Sequence, residues 1–304
     1  MKELFKKAYA GFTNFVRNVF DKVRDAFDVV VDVISGRPND PSKVSPEFAQ
    51  ALKEPVVNGE LNPKLQLDKF KVNFKHNHDS PSAPKLGVSF ETPRLTGRSI
   101  GTGTEKEQEE DYKFIAQKLY GDPRVTRTYA TGKRYNTAEA AENATKRIKM
   151  FSDRANNRDI PHAFRGFIVQ SKATGERVGV VNIGVNGFEL SAEYAEPAMM
   201  IARKSQGKGF GTELYALGMF YLREIFEAKD YFRTPAGGKL DSVLFTARPN
   251  NRIASRFDLK PIDPTSIGAK PENTVDKYGK GSRDLYQVNE ATVRKLTGNT
   301  RLTA

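Results

Sequence analysis

The chain has 304 residues, 38% of them hydrophobic and 28% charged, which is enough for one large domain or two modest ones without covalent staples. With 0 Cys it has no disulfide, thiolate zinc site, iron–sulfur cluster or cysteine nucleophile. Its 3 His, at positions 76, 78 and 162, are too few for a multi-histidine site, so no metal is expected. The net charge of +12 is spread along the chain and suits an anionic partner: nucleic acid, an acidic membrane or a phosphorylated cofactor. There are 0 Trp and no Lys/Arg block interleaved with aromatics, which makes nucleic acid unlikely as the main partner.

Residues 2–34 place Phe5, Phe12, Phe15, Val16, Val19, Val23, Phe27, Val30 and Ile34 at three- and four-residue steps. That spacing predicts an amphipathic helix over residues 1–35, ended by Gly36-Arg37-Pro38. Its polar face mixes Lys6, Lys7, Arg17, Lys22 and Arg24 with Asp21, Asp25, Asp28 and Asp32. Such a helix docks on its own domain, self-associates, or meets a membrane surface or partner. Charges interrupt every apolar core that a signal peptide needs, no apolar run reaches the length of a membrane span, and we expect a cytoplasmic protein.

Seven prolines between Pro38 and Pro84 predict a largely irregular linker over 36–85, with a short strand where Phe70, Val72 and Phe74 alternate. From Leu86 the texture changes. Strands are predicted at 88–95, 164–170, 177–185, 195–202, 242–247 and 283–288, with a hairpin turn at Lys172–Glu176. Helices are predicted at 106–120, 137–151, 212–228 and, briefly, 251–257. The order points to an α+β (mixed α/β) domain over 86–290, followed by a tail at 291–304.

The most informative segment runs from Ala198 to Thr212. An apolar strand enters Gly207-Lys208-Gly209-Phe210-Gly211, and a helix starts at once. Glycines let successive amides point inward, and the helix N-terminus adds partial positive charge. Together they form a phosphate cradle, with Arg203, Lys204 and Lys208 as cations around it. The nucleoside-triphosphate pattern is absent, and the spacing is not that of a dinucleotide loop.

The pattern Gln206-x-x-Gly209-x-Gly211 resembles the pyrophosphate loop of the GNAT superfamily of acyl-coenzyme-A-dependent N-acyltransferases. Other stretches look like the branch that acetylates ribosomal-protein N-termini. They are Glu91–Arg98 as its first strand, Asp122-Pro123-Arg124-Val125 after its first helix and Ala195–Ala202 as its fourth strand. Arg248–Ser255 resembles its next strand end and helix start, and Arg283–Val288 its closing strand. The resemblance covers about 87–289 and implies a mostly antiparallel sheet splayed between its fourth and fifth strands and flanked by helices. Two departures stand out. The helix after Asn251 is short, with Asp258-Leu259 replacing the family's Gly-Phe, and Ser255 follows Asn251 by four residues rather than three.

The resemblance implies transfer of acetyl from acetyl-CoA to a primary amine, on a protein, a peptide or a small molecule. It implies that pantetheine pairs with the fourth strand near Ile201. The loop residues Arg203, Gln206, Gly207, Lys208, Gly209, Phe210, Gly211 and Thr212 would hold the pyrophosphate, and Asn251 would reach the pantetheine or the loop. Glu196 would relay the amine proton through water, unless it only pairs with a nearby cation. Ser255 would protonate the leaving thiolate, unless it only bonds its own helix. The alternative is an interaction protein that kept the fold, lost the chemistry and acts through helix 2–34.

Overall fold

The computed structural model describes residues 44–76, 85–127, 129, 132–156, 165–183, 185–186, 194–195, 198–227, 242–249, 252–276, 279, 281, 283–300 and 302. Segment 2–34, Glu196 and Asn251 lie outside the described residues.

The described chain begins with helix α1 (Pro46–Lys53) and a small hairpin of β1 (Val56–Val57) and β2 (Glu60–Leu61). Two 3-10 turns, Pro63–Leu65 and Leu67–Lys69, lead into β3 (Lys71–His76). Then come β4 (Lys85–Glu91), β5 (Leu95–Ser99), α2 (Glu105–Phe114), the short α3 (Pro123–Thr126) and α4 (Thr137–Asn156). A hairpin of β6 (Arg165–Ser171) and β7 (Arg177–Ile183) follows, and then three short strands: β8 (Val185–Asn186), β9 (Tyr194–Ala195) and β10 (Ala198–Ile201). The long helix α5 (Phe210–Glu227) precedes β11 (Ser242–Ala247), α6 (Arg252–Arg256), β12 (Pro261–Ile262), β13 (Asp284–Asn289) and α7 (Glu290–Thr297).

Six strands form an antiparallel sheet in the order β10-β7-β6-β5-β4-β3, and five form a second sheet in the order β12-β13-β11-β9-β8. The strand expected at 195–202 is divided between them. Ala195 pairs in parallel with Val243 of β11, whereas Ala198 pairs with Asn182 of β7. Beyond that fork β10 is an edge strand, with one side of its backbone on β7 and the other outside any ladder of the described residues.

Alternation along β6 sorts the core. Phe167 and Val169 join a cluster with α1 and α5, while Ile168 joins another with α2 and α4.

The expectation of a largely irregular linker at 36–85 fails for its described part. Phe48, Ala51, Leu52, Leu61, Leu65, Phe70 and Val72 are buried in the same core as α5, and the Phe70 ring lies 5.9 Å from that of Phe220. The prolines start elements instead of breaking them. Pro46 opens α1 behind the Ser45 cap, and Pro63 opens a 3-10 turn behind the Asn62 cap. The tail expected at 291–304 is likewise partly helical. Asn289 caps α7, and Val293 and Leu296 are buried. Arg223 of α5 donates to Thr297 Oγ1 at 3.0 Å and to the carbonyls of Gly298 and Thr300 at 2.7 and 2.8 Å.

The helix expected at 106–120 changes character midway. After α2 the turn widens to a π-helix over Ile115–Tyr120, and Gly121 N–H closes it on the Ala116 carbonyl at 2.7 Å. A Cβ at Gly121 would stand 2.8 Å from that carbonyl, so the tight closure requires glycine. Asp111 ties α2 to the sheet through Arg98 and Arg177, each at 2.7 Å.

Candidate active site

β10 delivers the chain to a 3-10 turn over Arg203–Ser205, then to the glycines, then to α5. Gly207 and Gly209 have φ of +77° and +79°, a left-handed backbone that side chains disfavour. Glu213 N–H bonds the Gly209 carbonyl at 3.1 Å, which makes Gly209 the helix cap residue. Among the described residues, the amides of Gly207, Gly209, Phe210 and Gly211 have no hydrogen-bond acceptor. Such orphan donors at a helix start, together with the dipole, fit a diphosphate.

Side chains behind the loop fix its shape. Glu213 is fully buried; its Oε1 accepts from Thr92 Oγ1 at 2.5 Å and Arg94 N at 2.9 Å, and its Oε2 from Arg94 Nε at 2.8 Å. Arg94 Nη1 donates to the Lys208 carbonyl at 2.9 Å, and the guanidinium stacks over Phe210 at 4.6 Å and Phe48 at 5.2 Å. The loop is thus bolted to the turn between β4 and β5. Leu52 of α1 packs under Gly209, where a Cβ would come within 2.7 Å of Leu52 Cδ1. Arg256 of α6 donates to Thr212 Oγ1 at 3.2 Å and to the Leu52 carbonyl at 3.4 Å.

The residues expected to bind cofactor therefore divide by role. Ile201, Arg203, Gln206, Gly207, Lys208, Gly209, Phe210, Gly211 and Thr212 form one continuous turn at the fork. Phe210 and Thr212 have buried side chains, so what they offer a ligand is backbone. Gln206 Nε2 donates to the Ile201 carbonyl at 2.9 Å, so its side chain closes the end of β10. Lys204 pairs with Glu176 at 3.0 Å. Ser255 is exposed on α6, one residue before Arg256. Glu196 and Asn251, outside the described residues, have no geometry to report.

Sequence reasoning missed Glu213, Arg256 and helix α1, and it included Thr92 and Arg94 in the stretch Glu91–Arg98 without a role. The partners of Glu213 lie 119 to 121 residues away, and no local spacing encodes such a pair.

Among the described residues, no group of three or more His, Asp or Glu could hold a metal ion, and no helix is long and apolar enough to cross a membrane.

A family model described as an acetyltransferase (GNAT) domain matches residues 105–257, half of the chain. The chain belongs to the GNAT acetyltransferase family, as an N-acetyltransferase. No curated protein matches the sequence. Among solved structures, it is similar to a GNAT-family acetyltransferase from Bacillus anthracis at 14% identity, covering 65% of this chain and 96% of that one with a TM-score of 0.41. It is similar to spermidine N-acetyltransferase from Vibrio cholerae, in complex with CoA and spermine, at 17% identity, 66% and 97% coverage and a TM-score of 0.40. The corresponding values for RimL, a ribosomal L7/L12 α-N-protein acetyltransferase in complex with coenzyme A, are 12%, 66%, 97% and 0.42.

Proposed function

We propose that the loop Gln206–Thr212 holds the diphosphate of acetyl-CoA by its backbone, and that the pantetheine arm lies along the free edge of β10 near Ile201. The acceptor is a primary amine of a protein, a peptide or a small molecule. The observation that carries this reading is the set of amides at Gly207, Gly209, Phe210 and Gly211 without an acceptor among the described residues, at a helix start that Arg94 and Glu213 hold rigid.

In the reaction the amine nitrogen attacks the thioester carbonyl carbon. A C–N bond forms, the C–S bond breaks, and the thiolate leaves on CoA. Glu196 takes the amine proton through water, Ser255 returns a proton to sulfur, and Asn251 steadies the pantetheine or the loop. The folded domain acts in the cytoplasm, with segment 2–34 serving a partner or surface.

The test is release of CoA thiol from acetyl-CoA in the presence of a panel of amines. The chain has 0 Cys, so a thiol-reactive dye reports only CoA. Amine-dependent release is expected, with Glu196→Gln lowering kcat by about 100-fold. Acetyl-CoA binding without amine-dependent release for any acceptor would favour an interaction protein acting through segment 2–34.

A further inference from the structure

The face of β10 opposite the glycine loop carries a buried cation. Arg147 of α4 is 6% exposed. Its Nη1 donates to the Tyr120 hydroxyl at 2.9 Å, the Tyr129 hydroxyl at 3.2 Å and Met200 Sδ at 3.4 Å. Its Nη2 donates to Asn182 Oδ1 at 2.9 Å. The rings of Tyr120, Tyr129 and Phe151 surround the guanidinium carbon at 5.5 to 5.9 Å. None of these partners is an anion. Burial pushes the Tyr120 phenol up to about 12, so it stays neutral at working pH. Among the described residues the buried Nε of Arg147 has no hydrogen-bond partner, although with Nη2 it forms the edge that donates to a carboxylate in two-pronged fashion.

A buried guanidinium with no counter-charge among the described residues carries a desolvation penalty, which an arriving anion relieves. The position suits the chemistry. Met200 lies on β10, and Asn182 pairs with Ala198, the first residue of that strand. Met199 and Ile201 pack on the other side, with the α5 core, and a Cβ at Gly211 would stand 3.7 Å from Met199 Sδ. The glycine loop and the guanidinium thus lie on opposite faces of β10. With pantetheine along β10 as proposed above, an acceptor would meet the thioester from the Arg147 face.

We propose that Arg147, with Tyr120, Tyr129 and Asn182, receives a carboxylate of the acceptor, so that the substrate is an amine bearing a carboxylate close to its amino group and not a polyamine. The inference rests on the acetyltransferase reading above. The nearby cation selects against a polycationic acceptor by like-charge repulsion.

The full chain, loaded with CoA, is titrated by calorimetry with matched pairs: β-alanine against β-alaninamide, and an aspartyl peptide against its asparaginyl twin. Spermidine is the cationic control. The carboxylate member of each pair is expected to bind at least about tenfold more tightly, with the same ratio in kcat/KM when acetyl-CoA replaces CoA. Arg147→Gln brings the ratio toward one. So does Asn182→Asp, which supplies the guanidinium with a carboxylate from within the chain. That second variant decides the matter if Arg147→Gln fails to fold, because it leaves the buried cation paired. A ratio of one in the natural chain, or an unchanged ratio in folded Asn182→Asp, overturns the inference. If the binding ratio holds while no amine is acetylated, the anion site stands and the proposed acceptor chemistry falls. If the ratio is one while neutral amines turn over, the reverse is true.

Discussion

Glu213 is the residue on which the loop's shape depends most. It is 0% exposed and links three groups from the turn between β4 and β5 to the first turn of α5. Replacing it with Gln leaves Arg94 without its carboxylate, at a cost of about 3 kcal/mol in urea unfolding. Acetyl-CoA affinity should fall as well, because Arg94 also holds the Lys208 carbonyl. Gly209 is constrained twice, by its φ of +79° and by Leu52 packed beneath it. Gly209→Ala is therefore expected to cost about 1–2 kcal/mol of stability and to weaken acetyl-CoA binding in the same protein. A thermal-shift series with and without acetyl-CoA reads both effects. An unchanged ligand-induced shift would separate the loop from the cofactor.

Helix α6 shows how much the sequence reveals about an element and where it stops. The short helix and the odd Asp258-Leu259 were both visible in the residues. The reason was not. Asp258 sits at φ +55°, Leu259 N–H bonds the Ala254 carbonyl at 3.1 Å, and Asp258 N–H bonds the Ser255 carbonyl at 3.2 Å. This is the double-bonded helix end that usually takes glycine at the left-handed position. Asp258→Gly is expected to raise stability by up to about 1 kcal/mol, read as a higher urea midpoint with unchanged slope. Strands β6, β7, β11 and β13 were legible because each is a short run rich in Val, Ile, Leu, Phe and Tyr. The π-turn over Ile115–Tyr120 was not, since Ile115, Ala116 and Leu119 are apolar at helical spacing whichever turn they adopt. The split of 195–202 between two sheets was hidden too. Pairing partners, rather than the strand's own residues, decide where a ladder ends.

At the scale of the whole molecule, the segment before β4 belongs to the core that backs the glycine loop. Leu52 touches Gly209, Phe48 lies against Arg94, and Phe70 packs on α5. Leu52→Ala should cost about 2–5 kcal/mol and loosen the loop. A chain starting at Lys85 should lose cooperative unfolding, because it exposes the core side chains that residues 44–76 cover. A chain starting at Val44 should keep it and keep acetyl-CoA binding, which assigns segment 2–34 to some other task. The most direct test of the account is calorimetric titration of acetyl-CoA into the natural chain and into Gly207→Asp. A Cβ at Gly207 meets open space, so that carboxylate intrudes on the anion cradle without displacing a neighbour. Affinity is expected to drop at least about 30-fold while the fold persists, a loss near 2 kcal/mol. Equal affinity in the two proteins would contradict the claim that these amides hold the diphosphate.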